Sequence, residues 1–496
     1  MKRIRIKIKR IILQAAALGT GTVLAISAFS FPAYAKPVWP SDTGIQADAG
    51  IVVDEETGTV LFGQNIHLTY APASITKLLT ALVVIENCPS LDETVTFSHD
   101  AVYNVESGSG NSLSLEEGDQ LSVRDCLYAL LLRSSNQAAN ALAEHVGGSR
   151  EGFVAMMNEK IRELGCTESN FMNPSGLNDE NQYVSAYDMA IIGRAAFANE
   201  TLLEINSTTS YTLPATIHNP DGLRIGMEHK LLITDDENSS TYYPDAVAGK
   251  TGYTSIAGNT LVTYARKGDR GEVAVILKSN QTHYSDTIAL LDFGFQRFQN
   301  LDASGDLASL FDEAGQLTID GQTFLQDQLE TEGSEMVTVP LEAVLSDAER
   351  SLVTGEQMSA GAPDGAVAQV KYTYDDRVVG SYYLVSTVQE PAESDALGQG
   401  EMPSEQAADA SLPDNQETGA PAEGGGIPLT LLLGAGGVIL AAGAVTGIVF
   451  LIRRSRKRQE QEAELRRERR RQRLAEIGCS EEEFRRLVEE RYGKDT

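Results

Sequence analysis

Two apolar runs, one with basic residues before it and the other with basic residues after it, divide this 496-residue chain before any folded domain is considered. The first, Ile11 to Phe31, follows Lys2, Arg3, Arg5, Lys7, Lys9 and Arg10 and leads to Ala33-Tyr34-Ala35. A basic stretch, an apolar stretch and a small-x-small site make a secretory signal, so residues 1–35 are expected to be cleaved and the middle of the chain exported. A retained anchor is the competing reading, but Pro32 and the Ala-x-Ala site favour cleavage. The second run, Ile427 to Ile452, holds no charged residue and is followed at once by Arg453, Arg454, Arg456, Lys457 and Arg458. It exceeds the roughly 20 residues that a helix needs to cross a bilayer core. Basic residues stay on the cytoplasmic side, so a single transmembrane helix is expected, with residues 453–496 as a basic cytoplasmic tail.

The charge follows the same partition. The whole chain carries −30, yet Lys36 to Ile452 holds 19 basic and 59 acidic side chains, a charge of −40. An exported and strongly acidic body is a poor partner for nucleic acid. Between Pro391 and Gly426 there are eight acids and no Lys or Arg among Pro, Gly, Ala, Ser and Gln, which predicts a disordered acidic spacer over 391–426. Of four cysteines, Cys479 lies in the tail, so Cys88, Cys126 and Cys166 allow at most one disulfide outside, and the sequence does not say whether it forms.

What remains, about 36–390, is long enough for two domains. Ile51–Asp54 and Thr59–Phe62 read as a β-hairpin, and apolar spacing after Pro72 predicts a helix through Leu78, Leu82 and Ile85. A second helix is expected from about Val123 to His145 and a third over Gly152–Leu164. Strands follow at 246–252, 259–265 and 272–278, then a helix near 287–298. The class is α/β (α+β), a sheet with packed helices over 36–300. Strand-like stretches at 336–339, 366–374 and 378–386 mark a small mainly-β domain over 301–390.

The chemistry starts at Ser74-Ile75-Thr76-Lys77. Residues three apart share a helix face, so Lys77 stands one turn from Ser74. A serine hydroxyl needs a base, and a lysine serves when burial and neighbouring cations disfavour its ammonium form. Alone, Ser-x-x-Lys is equally a helix start with a solvated lysine. Ser134-Ser135-Asn136 is alone a helix cap, and Lys250-Thr251-Gly252 alone an exposed turn. In order along one chain the three are far more specific: a small residue on a strand admits a substrate backbone, and a cation with a hydroxyl beside it suits a carboxylate.

With this trio the chain resembles the D-alanyl-D-alanine carboxypeptidases, the low-molecular-mass penicillin-binding proteins of serine peptidase type. The likeness extends through Asp54-Glu55-Glu56-Thr57-Gly58, Pro72-Ala73-Ser74, Asn173-Pro174-Ser175-Gly176-Leu177, Ser185-Ala186-Tyr187-Asp188 and Gly249-Lys250-Thr251-Gly252-Tyr253-Thr254. It implies a β-lactamase/transpeptidase-like fold and an acyl-enzyme on Ser74 that removes the terminal D-alanine from peptidoglycan stem peptides, with Lys77 as base. It further implies an oxyanion hole from the Ser74 and Tyr253 N–H groups and a proton relay through Ser134. Asn136 would orient Lys77 and the substrate amide, while Lys250 and Thr251, beside Gly252, receive the carboxylate. β-Lactams become covalent inhibitors, no metal or cofactor is called for, and the enzyme is a single-pass protein of the bacterial cell membrane.

Two residues depart from the family pattern. Gln137 stands where Asp is common after the Ser-x-Asn asparagine, and Asn280-Gln281-Thr282-His283 lacks the arginine often found before the following helix. An endopeptidase acting on cross-links therefore stays as an alternative, and so, because a fold does not fix function, does a non-catalytic wall-binding protein on the same fold, although intact Ser74, Lys77, Ser134, Asn136 and Lys250 argue against it. A class A β-lactamase would need a deacylating glutamate where Pro174 stands, and no His-Glu-x-x-His frame supports a zinc peptidase.

Overall fold

The computed structural model describes residues 36–105, 109–359 and 361–388. The expected signal peptide, spacer, transmembrane helix and basic tail lie outside them. Among the described residues no helix is long and apolar enough to cross a membrane.

Five antiparallel strands form the central sheet: β1 (Ala49–Asp54), β2 (Val60–Gln64), β3 (Ala246–Thr254), β4 (Gly258–Lys267) and β5 (Arg270–Ser279), in the order β2-β1-β5-β4-β3. The expected hairpin is β1–β2, with Val52 opposite Phe62. Both faces of the sheet are covered, so the inner strands β1, β4 and β5 are apolar through their middles and alternation sorts one face from the other. Ile51, Val53, Val262, Val273 and Val275 pack into the core under the helices. Val52, Leu261, Ala274 and Ile276 pack into a second core with Leu290 and Leu291.

The helical layer contains α1 (Lys77–Asn87), α2 (Val123–Leu132), α3 (Asn136–Gly147), α4 (Arg150–Glu163) and α5 (Ala186–Ala198). Leu290 and Leu291 belong to α6 (His283–Arg297) on the opposite face. One expectation is corrected here: the helix read as continuous from Val123 to His145 is two helices. Ser134 adopts a left-handed backbone, φ 56°, which an α-helix of L-residues does not tolerate, and Ser135 starts a new helix by accepting the Ala138 N–H at 3.1 Å.

After α6 the chain is mostly strands. β6 (Phe298–Asp302) pairs with β10 (Met336–Pro340), and β7 (Gln316–Ile319) with β8 (Gln322–Leu325). A four-stranded sheet has the order β9-β13-β12-β11, from β9 (Leu329–Glu332), β11 (Glu349–Val353), β12 (Ala366–Tyr374) and β13 (Arg377–Ser386). The core outside α6 runs on into this region. Trp39 lies between Phe298 and Tyr374, at 4.9 and 5.7 Å between ring centroids, and donates its indole N–H to the Leu61 carbonyl at 3.0 Å. The Asp54-Glu55-Glu56-Thr57 turn belongs to this junction. Asp54 Oδ1 accepts the Thr57 N–H at 2.9 Å, and the Thr57 hydroxyl lies 2.7 Å from that of Thr338. That motif is structural, and the chemistry sits at the other end of the fold.

Candidate active site

Ser74 stands in a 3-10 turn, Ala73–Thr76, that leads into α1. The turn is tight because Ala73 has φ 52°, a left-handed backbone that costs a non-glycine residue roughly 1–2 kcal/mol. Two neighbours hold it. Thr260 on β4 donates its hydroxyl to the Pro72 carbonyl at 2.9 Å, and Gly176 closes against Ala73 so tightly that a Cβ there would lie 1.9 Å from the Ala73 oxygen.

Lys77 is completely buried, one turn from Ser74. Its Nζ is 3.0 Å from Ser74 Oγ, 2.8 Å from Asn136 Oδ1 and 2.5 Å from the Ser175 carbonyl oxygen. Burial first, and then the positive charge of Lys250, hold the Lys77 amine well below the ordinary lysine range, while Glu228 pulls the other way. A neutral amine has two N–H groups and one lone pair. With Asn136 Oδ1 and the Ser175 carbonyl accepting the two N–H groups, the lone pair is left for the serine hydroxyl.

The helix break described above is what delivers Asn136. Because the chain turns at Ser134 and restarts at Ser135, Asn136 opens α3 with its side chain on Lys77, and half-buried Ser134 sits in the turn between the helices. Gln137, at the position where the family commonly has Asp, is buried and donates its amide to the Gly110 carbonyl at 3.2 Å.

The third motif lies on β3, an edge strand of the central sheet. Lys250 pairs with Val262 and Gly252 with Thr260, so both sit on the face beneath the helices, where Ser74 is. Gly252 is required by contact. A Cβ there would lie 2.9 Å from the Ser74 backbone nitrogen and 2.4 Å from Thr260 Oγ1. Lys250 is 2% exposed, and burial pushes its amine down to about 8 against the attraction of Glu228. Thr251 is half-buried and Tyr253 is 67% exposed. As an edge strand, β3 has backbone groups free to pair with an extended peptide.

Sequence reasoning missed several participants. Ser175 acts through its carbonyl, which no side-chain pattern reveals; the loop that carries it is held by Asn173 Oδ1, which accepts the Gly176 N–H at 2.8 Å, and by the Thr80 hydroxyl on the Pro174 carbonyl at 2.7 Å. Glu228 bridges to Arg133 at 3.3 Å, tying the residue before Ser134 to the segment beside β3. His229 is buried with Nε2 at 2.9 Å from the Thr263 hydroxyl, and burial together with Lys250 pushes it down to about 3, so it is neutral at physiological pH.

Residues 36–281 match the family described as D-alanyl-D-alanine carboxypeptidase. The chain is 32% identical over 256 residues to the D-alanyl-D-alanine carboxypeptidase DacB2 of Mycobacterium tuberculosis, covering 50% of this chain and 82% of that one. With DacF of Bacillus subtilis it shares 31% identity over 264 residues, 52% of this chain and 64% of the relative. Among solved structures, penicillin-binding protein 6B from Escherichia coli superposes with a TM-score of 0.51 at 27% identity, over 71% of this chain and 99% of that one. The buried Ser74–Lys77–Asn136 contact, the edge-strand Lys-Thr-Gly and these likenesses agree, and the chain belongs to the D-alanyl-D-alanine carboxypeptidase family of serine peptidases.

Proposed function

We propose that this member removes the terminal D-alanine from peptidoglycan stem peptides through an acyl-enzyme on Ser74, outside the cell, tethered by residues 427–452. One observation carries the reading: a fully buried lysine 3.0 Å from a serine hydroxyl, with its other two neighbours both acceptors. Lys77 takes the Ser74 proton as Oγ attacks the carbonyl between the two D-alanines. The N–H groups of Ser74 and Tyr253 receive the oxyanion, a contribution worth about 10²–10³-fold per donor in related chemistry. Ser134 passes a proton to the leaving amine, Asn136 holds Lys77 and the substrate amide, and Lys250 with Thr251 binds the free carboxylate. Water then releases the shortened peptide, while a β-lactam acyl group leaves slowly. The test is D-alanine release from a peptide ending in Lys-D-Ala-D-Ala by the full chain and by Ser74→Ala. Release that vanishes in the variant supports the reading, and equal release from both contradicts it.

A second reading, cleavage of cross-links as an endopeptidase, is favoured by the absence of an arginine in Asn280–His283. A folded chain that cuts a cross-linked dimer but leaves the free pentapeptide intact would establish it.

The lysine pair also fixes a pH dependence. Carboxylate binding needs protonated Lys250, so kcat/KM is expected to fall as pH rises through about 8. Glu228 raises the Lys250 value, so Glu228→Gln should move this alkaline limb to lower pH. A limb that stays in place or moves upward would show that Lys250 does not govern it.

A further inference from the structure

At the far ends of α1 and α3, away from Ser74, three side chains of metal-ligand chemistry converge. Cys88 caps the C-terminus of α1, His145 stands in the last turn of α3, and Glu93 lies in the turn that leads from α1 into the short strand Thr94–Thr96. A sulfur, a ring nitrogen and a carboxylate oxygen from these residues all lie within 4.8 Å of one another, and His145 Nε2 is 3.0 Å from Glu93 Oε2. Cys88 is a free, half-buried thiol whose Sγ lies 3.3 Å from the Ser90 carbonyl oxygen.

We infer that Cys88, Glu93 and His145 form a binding site for a borderline-soft divalent ion of the zinc class, held by three protein ligands and a water. Tetrahedral coordination, with bonds of about 2.0–2.1 Å to nitrogen and oxygen and about 2.3 Å to sulfur, places the ligand atoms roughly 3.3–3.6 Å apart. The ligand atoms, all within 4.8 Å of one another, need to close by about an ångström to reach that spacing. One thiol, one imidazole and one carboxylate select zinc-class ions over magnesium or calcium, which prefer all-oxygen shells. The frame is already built. The Cys88 N–H is bonded to the Val84 carbonyl at 2.9 Å, and the Glu93 and Leu91 carbonyls accept the Val123 and Arg124 N–H groups at 2.9 Å each. Without an ion, Glu93 and His145 share a hydrogen bond and the Cys88 thiol donates to the Ser90 carbonyl, and metal binding would replace both contacts.

On binding, the Cys88 thiol loses its proton to solvent and a metal–sulfur bond forms, with no change of oxidation state. The ion ties the ends of the two helices whose opposite ends carry Lys77 and Asn136. Helices of 11 and 12 residues separate it from the chemistry by about 16 Å, so it stabilises the frame and takes no part in acyl transfer.

The test titrates the full chain, reduced and freed of metal, with Co²⁺ and then Zn²⁺. One equivalent of Co²⁺ should give a thiolate-to-cobalt absorption band that Zn²⁺ removes, and Zn²⁺ should raise Tm. Cys88→Ser should abolish the band, and His145→Gln, which leaves the thiol in place, should weaken Co²⁺ binding at least tenfold. Both variants should be acylated by penicillin at the native rate, which shows that they are folded. Absence of the band at one equivalent, or a band of native strength in Cys88→Ser that would then belong to another thiol, overturns the site. Neither result bears on the peptidase reading.

Discussion

Lys77→Met should leave the chain folded and slow acylation of Ser74 by about three to four orders of magnitude, the scale of a lost general base together with an unactivated nucleophile. Methionine is close to lysine in length and suits a site with no exposure. The substitution leaves Asn136 Oδ1 and the Ser175 carbonyl without their amine, a cost of about 1–3 kcal/mol for each buried polar group, partly offset because a buried amine no longer has to be accommodated. The melting temperature should therefore move modestly while the chemistry collapses. Stopped-flow acylation with a fluorescent penicillin, beside a thermal melt, separates the two effects. A Lys77→Met chain that acylates within tenfold of the native rate would remove Lys77 from its assigned role.

The second large effect is expected at Gly176, which has no side chain of its own to take part in the chemistry. Its φ is 83°, and an added Cβ would lie 1.9 Å from the Ala73 oxygen and 2.9 Å from Thr76 Oγ1. Gly176→Ala thus adds a conformational penalty of about 1–2 kcal/mol to an overpacking penalty of about 1–3 kcal/mol. The strain falls on the turn that aims Ser74. Gly165 provides the comparison, because it has φ 78° but nothing within 4 Å of its would-be Cβ. Gly165→Ala should cost only the conformational part and keep the native acylation rate, whereas Gly176→Ala should lose both stability and acylation. Denaturant unfolding and acylation rates on the two variants decide the matter; indistinguishable variants would show that the Ala73–Gly176 contact does not hold the site.

The parts of the fold legible in the sequence were those written in side-chain pattern. Alternation and turn residues gave the β1–β2 hairpin and the strands that became β3, β4 and β5, and motif order gave the site. The helix break between α2 and α3 was hidden because apolar spacing continues across it on both sides. Its only trace was Ser134-Ser135-Asn136, a run of residues that prefer caps to helix interiors. The β7–β8 hairpin carried a clear but unused signal. Asp320-Gly321, at φ 47° and 86°, is the two-residue turn that joins tightly paired strands. The Ser175 carbonyl and the close approach of Gly176 to Ala73 were beyond reach, since backbone groups and close packing leave no mark on a single sequence. The Glu228–Arg133 bridge was equally hidden, because its partners lie 95 positions apart.

The central claim is that Ser74 is the atom acylated. The most direct measurement is the intact mass of the full chain after brief exposure to benzylpenicillin, followed by mapping of the labelled peptide. The geometry at Ser74 predicts one adduct per chain, located on the peptide that contains Ser74 and absent from Ser74→Ala. A folded chain that takes up no penicillin, or one whose adduct maps to Ser134 or another residue, would contradict it.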